Sequence, residues 1–136
     1  MTIVERPDTP VLFLRCADRV EEIQATWPRL EAAVGSLRGR RFFGVMHARP
    51  QPEYWACVAR RDGDDPAGLG LETGVIPGGR YARRRLAGEP PGVFEEIVPG
   101  FRALEQEHRE DGSRPSIEDY RRHDRIDLLL PVADDV

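Results

Sequence analysis

The sequence predicts an α+β fold: a duplicated β-α-β-β module whose strands form an antiparallel sheet, with two helices on one face and a cleft between them. Three observations predict it. Two stretches carry an apolar stripe at helical spacing: Val20, Ile23, Trp27, Leu30 and Val34 in one, Phe94, Ile97, Phe101, Leu104 and His108 in the other. A strand-like run precedes each stripe and a pair of such runs follows it. The stripes are offset by the same number of residues at both ends (94 − 20 = 108 − 34 = 74), as a repeated unit requires. Each unit alone is too small to bury its apolar face, whereas two sharing one sheet enclose a core. With 136 residues the chain is read as a single domain, 1–136, with half-repeats at about 11–61 and 71–132.

The elements follow in order. Val11–Ala17 is a short apolar run after Pro10 and reads as a strand. Asp18 with Glu21 three residues on has the pattern of a capping box and is expected to open the first helix. Pro28 should kink that helix and Gly35 end it. Arg41–His47 and Glu53–Arg61 are paired strands across a turn with Pro50 and Pro52; Asp62–Gly70 is a loop. Leu71–Ile76 and Arg80–Leu86 flank Pro77-Gly78-Gly79, a hairpin signal. The second helix carries Pro99 and Gly100 and is expected to end by Gly112. Ser116–Arg122 and Arg125–Val132 close the fold around a tight turn at His123-Asp124.

Composition excludes several classes. The net charge is −4 and all 20 basic residues are arginine. The arginine clusters, Arg83–Arg85 and Arg121, Arg122 and Arg125, have acids nearby, so no nucleic-acid footprint is expected. No apolar run is long enough for a membrane span, and Met1–Pro10 is not a signal peptide; a cytoplasmic protein is expected. Cys16 and Cys57 lie in apolar strand runs and read as buried thiols. His47, His108 and His123 show no metal spacing, and neither a nucleophile elbow nor a credible dinucleotide fingerprint is present; no metal and no cofactor are expected.

The cleft carries the candidate chemistry, since a groove between two helices on a sheet suits a ligand. The offset of 74 matches Phe42, Gly44 and Met46 with Ser116, Glu118 and Tyr120, and strand alternation sets each trio on one face. Glu118, mid-strand, would be desolvated there, with a raised pKa and a preference for a cationic or hydrogen-bonding ligand; the alternative is a solvent-facing acid or one paired with an arginine such as Arg84. Trp27 and Phe101 occupy matching places in the two stripes, as core residues or as flat groove walls. Tyr54 and Trp55 are adjacent, so one of them can line the groove, and Tyr81 can reach the groove or cap the core. An uncovered back face of the sheet would permit a dimer, so monomer and homodimer both stand.

Ile76-Pro77-Gly78-Gly79-Arg80-Tyr81-Ala82, Arg40-Arg41-Phe42-Phe43-Gly44-Val45, Tyr54-Trp55-Ala56-Cys57-Val58, and Ile117-Glu118-Asp119-Tyr120 leading into Leu129-Leu130-Pro131-Val132 come in an order that resembles the GyrI-like small-molecule-binding family, related to the effector-binding domains of AraC-type and MerR-type regulators. The likeness runs from about Val11 to Val132. It implies a cleft for drug-like, aromatic and often cationic molecules, with Glu118 and Tyr120 pointing into it. Some members are hydrolases that open cyclopropane rings in DNA-alkylating natural products, which would make Glu118 and Tyr120 catalytic. Asp119, Arg121 and Arg122 depart from the family pattern, which bears on the rim of the cleft. With only about ten residues before the first strand, a helix-turn-helix is not expected. The leading expectation is a free-standing small-molecule binder using Glu118, Tyr120, Trp27, Phe101, Trp55, Tyr54, Phe42, Met46 and Tyr81. A hydrolase is the alternative, and an enzyme-inhibiting protein-interaction domain the second.

Overall fold

The computed structural model describes residues 2–133. Its strands are β1 (Thr2–Arg6), β2 (Thr9–Cys16), β3 (Phe42–His47), β4 (Glu53–Ala59), β5 (Glu72–Ile76), β6 (Gly79–Ala87), β7 (Ser116–Arg122) and β8 (Arg125–Pro131). Its helices are α1 (Val20–Val34), the single turn α2 (Pro66–Leu69) and α3 (Ile97–Glu107), which is entered through a 3-10 turn at Gly92–Glu96. All eight strands join one antiparallel sheet in the order β1-β6-β8-β7-β3-β4-β2-β5. Among the described residues no helix is long and apolar enough to cross a membrane.

The duplication is visible in that order. Each module places its second, third and first strands side by side, β3-β4-β2 in one and β7-β8-β6 in the other, and β3 meets β7 at the centre. The outermost strands are exchanged: β1 pairs with β6 of the second module, and β5 pairs with β2 of the first. At the centre Gly44 lies opposite Glu118. These two are also related by the offset of 74, so the pseudo-twofold axis passes between them.

The sheet curls into a half-barrel because its linkers leave no choice. Only Pro7 and Asp8 separate β1 from β2, and only Pro77 and Gly78 separate β5 from β6, yet each pair lies near opposite ends of the strand order. Six strand spacings of a flat sheet span roughly 29 Å. Three peptide steps reach no more than about 11 Å. The two linkers run side by side, with the Gly78 N–H donating to Asp8 Oδ1 at 2.6 Å. A Cβ on Gly78 would sit 2.5 Å from the Arg6 carbonyl oxygen, so only glycine allows this approach.

Curling gives the sheet two different cores. On the face without helices, Val11 and Phe13 of β2 share one buried cluster with Ile76, Tyr81, Phe43 and Ile117, drawn from both ends of the sheet. The face expected to stand bare is therefore buried in its own curl. On the other face α1 covers Leu12, Ala56 and Val58, while α3 covers Ala82, Ile126, Leu128 and Leu130. A Cβ at Gly100 would be 2.5 Å from Leu128 Cδ1, which is how close α3 lies to β8.

Several local expectations are corrected. Pro77-Gly78-Gly79 does not turn a hairpin; β5 and β6 pair with different partners. The run Thr2–Arg6, which precedes the first expected strand, is itself a strand. Asp18 does not cap α1: Arg19 is the N-cap residue and no side chain bonds there. Helix α1 runs unbroken through Pro28, which has no N–H to give the Gln24 carbonyl. Cys16 is half-exposed and only Cys57 is buried.

Candidate functional site

The helices α1 and α3 stand apart over the centre of the sheet, and the gap between them is a pocket of about 840 Å³. That is within the roughly 300–1,000 Å³ usual for small-molecule sites. Strands β3, β4 and β7 supply the floor through Phe42, Met46, Tyr54, Glu118 and Tyr120. Helix α1 supplies one wall through Ile23 and Trp27, and the α3 segment supplies the other through Phe94, Ile97, Val98 and Phe101.

Glu118 is the polar centre of this apolar hollow, 7% exposed. Its Oε1 accepts two hydrogen bonds, from the Tyr54 hydroxyl at 2.8 Å and the Tyr120 hydroxyl at 2.7 Å. Trp27 Nε1 donates in turn to the Tyr54 hydroxyl at 3.2 Å. Among the described residues Oε2 receives no hydrogen bond, and it is left to the pocket. Gly44 makes this possible. A Cβ there would collide with both the Tyr54 hydroxyl and Glu118 Oε1, so the acid occupies space that its cross-strand partner vacates.

Burial raises the Glu118 carboxyl above its ordinary range, and the charge of Asp18 adds to this; the two tyrosine hydroxyls pull in the opposite direction. Burial and the neighbouring Glu118 charge push the Tyr54 and Tyr120 phenols well above their usual value. Both therefore stay protonated and act as donors at neutral pH. Trp27 meets Tyr120, Phe42 and Tyr54 edge-on, with ring centroids 5.5, 6.2 and 6.4 Å apart. These contacts fix the box in one shape. A carboxylate held among aromatic walls, with one oxygen uncommitted, can take a cation or donor, or can polarise a water.

Of the residues singled out from sequence, Glu118, Tyr120, Trp27, Phe101, Tyr54, Phe42 and Met46 meet at this pocket. Trp55 and Tyr81 do not, and strand alternation is the reason. Tyr54 takes the helix face, so Trp55 points the other way, stacking on Phe13 at 3.8 Å beside His47. Ala82 takes the helix face, so Tyr81 enters the opposite core, where Arg114 lies over its ring. Asp119 likewise does not reach the rim; it bonds Arg6, Arg41 and Arg121 on the far face. The sequence reading passed over Phe94 and Ile97 as stripe residues and Asp18 as a cap. Val98, off the stripe, gave no signal. Among the described residues, exposed Glu89 and His123 and half-buried Asp124 bring potential metal-ligand atoms within 4.8 Å of one another, away from this pocket.

No family model matches the chain, and no curated protein matches it in sequence. Solved structures do. An integron cassette protein from the mobile metagenome of Vibrio cholerae superposes with a TM-score of 0.75 at 16% identity, over 97% of this chain and 95% of that one. SAV2435, solved bound to tetraphenylphosphonium, superposes with a TM-score of 0.67 at 14% identity, over 97% and 93%. A hydrolase from Listeria innocua superposes with a TM-score of 0.60 at 13% identity, over 97% and 91%. The chain shares their fold.

Proposed function

We propose that this protein is a GyrI-like small-molecule-binding domain that holds amphipathic aromatic cations between α1 and α3. The observation that carries the reading is Glu118: a buried carboxyl whose one oxygen is fixed by two tyrosine hydroxyls while the other faces an aromatic hollow. Burying such a group without a cationic partner costs free energy, and an aromatic cation supplies both the charge and the apolar surface. A similar fold binding tetraphenylphosphonium supports the choice of ligand class.

Calorimetric titration with tetraphenylphosphonium and with neutral triphenylphosphine oxide tests this. The cation should bind, and Glu118→Gln should weaken it at least about tenfold, some 1.4 kcal/mol, while the neutral compound changes little. Equal loss for both compounds, or none for the cation, would overturn the reading.

The hydrolase of similar fold favours a second reading in the same pocket. Here Glu118 Oε2 would take a proton from a water whose oxygen bonds to a cyclopropane carbon; the strained C–C bond breaks, its electron pair passes into a carbonyl conjugated with the ring, and that oxygen picks up a proton from solvent, while the tyrosine hydroxyls hold Oε1 in place. Turnover of a cyclopropane-bearing compound that vanishes in Glu118→Gln would establish it; a cyclopropane ligand recovered unchanged after prolonged incubation would rule it out.

A further inference from the structure

The lining of the pocket contains a second carboxylate that the fold does not use. Asp18 lies in the link from β2 to α1, at the rim. It does not cap the helix, and among the described residues no hydrogen bond or ion pair reaches it. The cation beside it is already engaged: the Arg19 guanidinium donates to Glu22, with Nε at 3.1 Å from Oε2, back along α1. Glu31, further along the same helix, is also part of the lining, so among the described charged residues there Arg19 faces three acids.

The Asp18 charge also reaches Glu118. Partial burial raises the Asp18 carboxyl, and the Asp18 charge in turn raises Glu118. Two like charges facing one cavity oppose each other's ionisation. A ligand with a single positive centre relieves only one of them. A ligand with two relieves both, provided its centres are spaced to reach floor and rim.

We propose that Asp18 forms a second cationic subsite at the rim of the pocket, so that its best occupants are elongated dications with one charge at Glu118 and the other at Asp18. This rests on the reading of the pocket as a cation site. Asp18 is largely exposed, and solvent screening keeps its contribution small beside that of the buried Glu118.

Calorimetry with α,ω-bis(pyridinium)alkanes of graded spacer length, each against the N-alkylpyridinium of matched length, tests the proposal. At the best spacer the wild type should bind the dication about fivefold tighter than the monocation, beyond the twofold that two equivalent ends give by statistics. Asp18→Asn should bring the ratio of dication to monocation affinity, both measured on that variant, down to the statistical twofold, with an unchanged melting temperature showing that the variant folds. A gain that survives Asp18→Asn, or no gain at any spacer, overturns the subsite. If the monocation still binds and still depends on Glu118, the subsite alone has failed; if the monocation does not bind at all, the parent reading fails with it.

Discussion

Glu118 and Asp119 are neighbours in one strand and both are buried, at 7% and 2% exposure, yet they answer burial in opposite ways. Asp119 points into the far side of the half-barrel, where Arg41 reaches it at 2.9 Å, Arg6 at 3.3 Å and Arg121 at 3.4 Å. Arg6 and Arg41 also lie over the Phe43 ring. Its cross-strand partner Asp127 is met by Arg85 and Arg125. Glu118 points between the helices, where tyrosine hydroxyls are its only described hydrogen-bond partners. One carboxylate is neutralised by the fold itself. The other is held in shape but not neutralised, which is what a binding residue requires. Strand alternation separates the two roles across a single peptide bond.

Substitution should pull the two sites apart. Asp119→Asn removes the shared counter-ion of three arginines, and losing one partner of a buried ion pair costs about 3–5 kcal/mol. Two of those arginines, Arg41 and Arg121, are 44% and 41% exposed and can rehydrate. Repulsion from Asp127 is also relieved. The expected loss is thus about 2–3 kcal/mol of stability, read by urea unfolding, with cation affinity unchanged in the folded protein. Glu118→Gln should do the reverse, changing stability by less than about 1 kcal/mol while cation binding collapses. Should Asp119→Asn weaken binding as much as Glu118→Gln, the two faces are not independent and the contrast fails.

The contrast was only half legible in the sequence. The helical stripes determine α1 and α3, because amphipathic periodicity is a local property, and the offset of 74 matches the two modules; that β3 and β7 meet at the centre is a long-range pairing the pattern does not carry. The faces of β4 and β6 were not readable. Tyr54-Trp55 alternates two large aromatic residues that suit either side, and Tyr81 sits in a strand interrupted by Arg83–Arg85. Nor was the curl. Pro77-Gly78-Gly79 looks the same whether it turns a hairpin or carries the chain across a seam, and only the partner of β5, distant in sequence, decides. Asp18 shows the converse difficulty: a residue that fits a local capping pattern stands at a pocket rim instead.

A smaller effect should follow from Gly44, where both modules meet. Gly44→Ala brings a methyl group against the Tyr54 hydroxyl and Glu118 Oε1. Either the hydroxyl or the carboxylate must move, so the paired hydrogen bonds cannot both survive. A stability cost of about 1–2 kcal/mol is expected from overpacking, together with a loss of cation affinity smaller than that of Glu118→Gln, since the charge remains. Alanine binding cations as well as glycine would show that the geometry of Oε1 is immaterial and that charge alone selects the ligand.

The smallest effect is a pH dependence, and its sign separates binding from folding. The Glu118 carboxyl is raised above its ordinary value of 4.5 in the folded protein, chiefly by burial. A raised carboxyl means that the neutral form fits the fold better. Its contribution to stability is full below the ordinary value and is lost as pH rises through the folded one. A bound cation prefers the ionised form, so affinity should rise with pH over the same interval and then level off. Binding within that interval should release a proton. Calorimetry in two buffers of different ionisation enthalpy at about pH 5 counts it directly. Glu118→Gln should abolish most of the release, leaving the smaller share of Asp18, whose carboxyl is raised in the same direction. Proton uptake on binding, or a release that Glu118→Gln leaves intact, would mean that the cation is held by something other than this carboxylate.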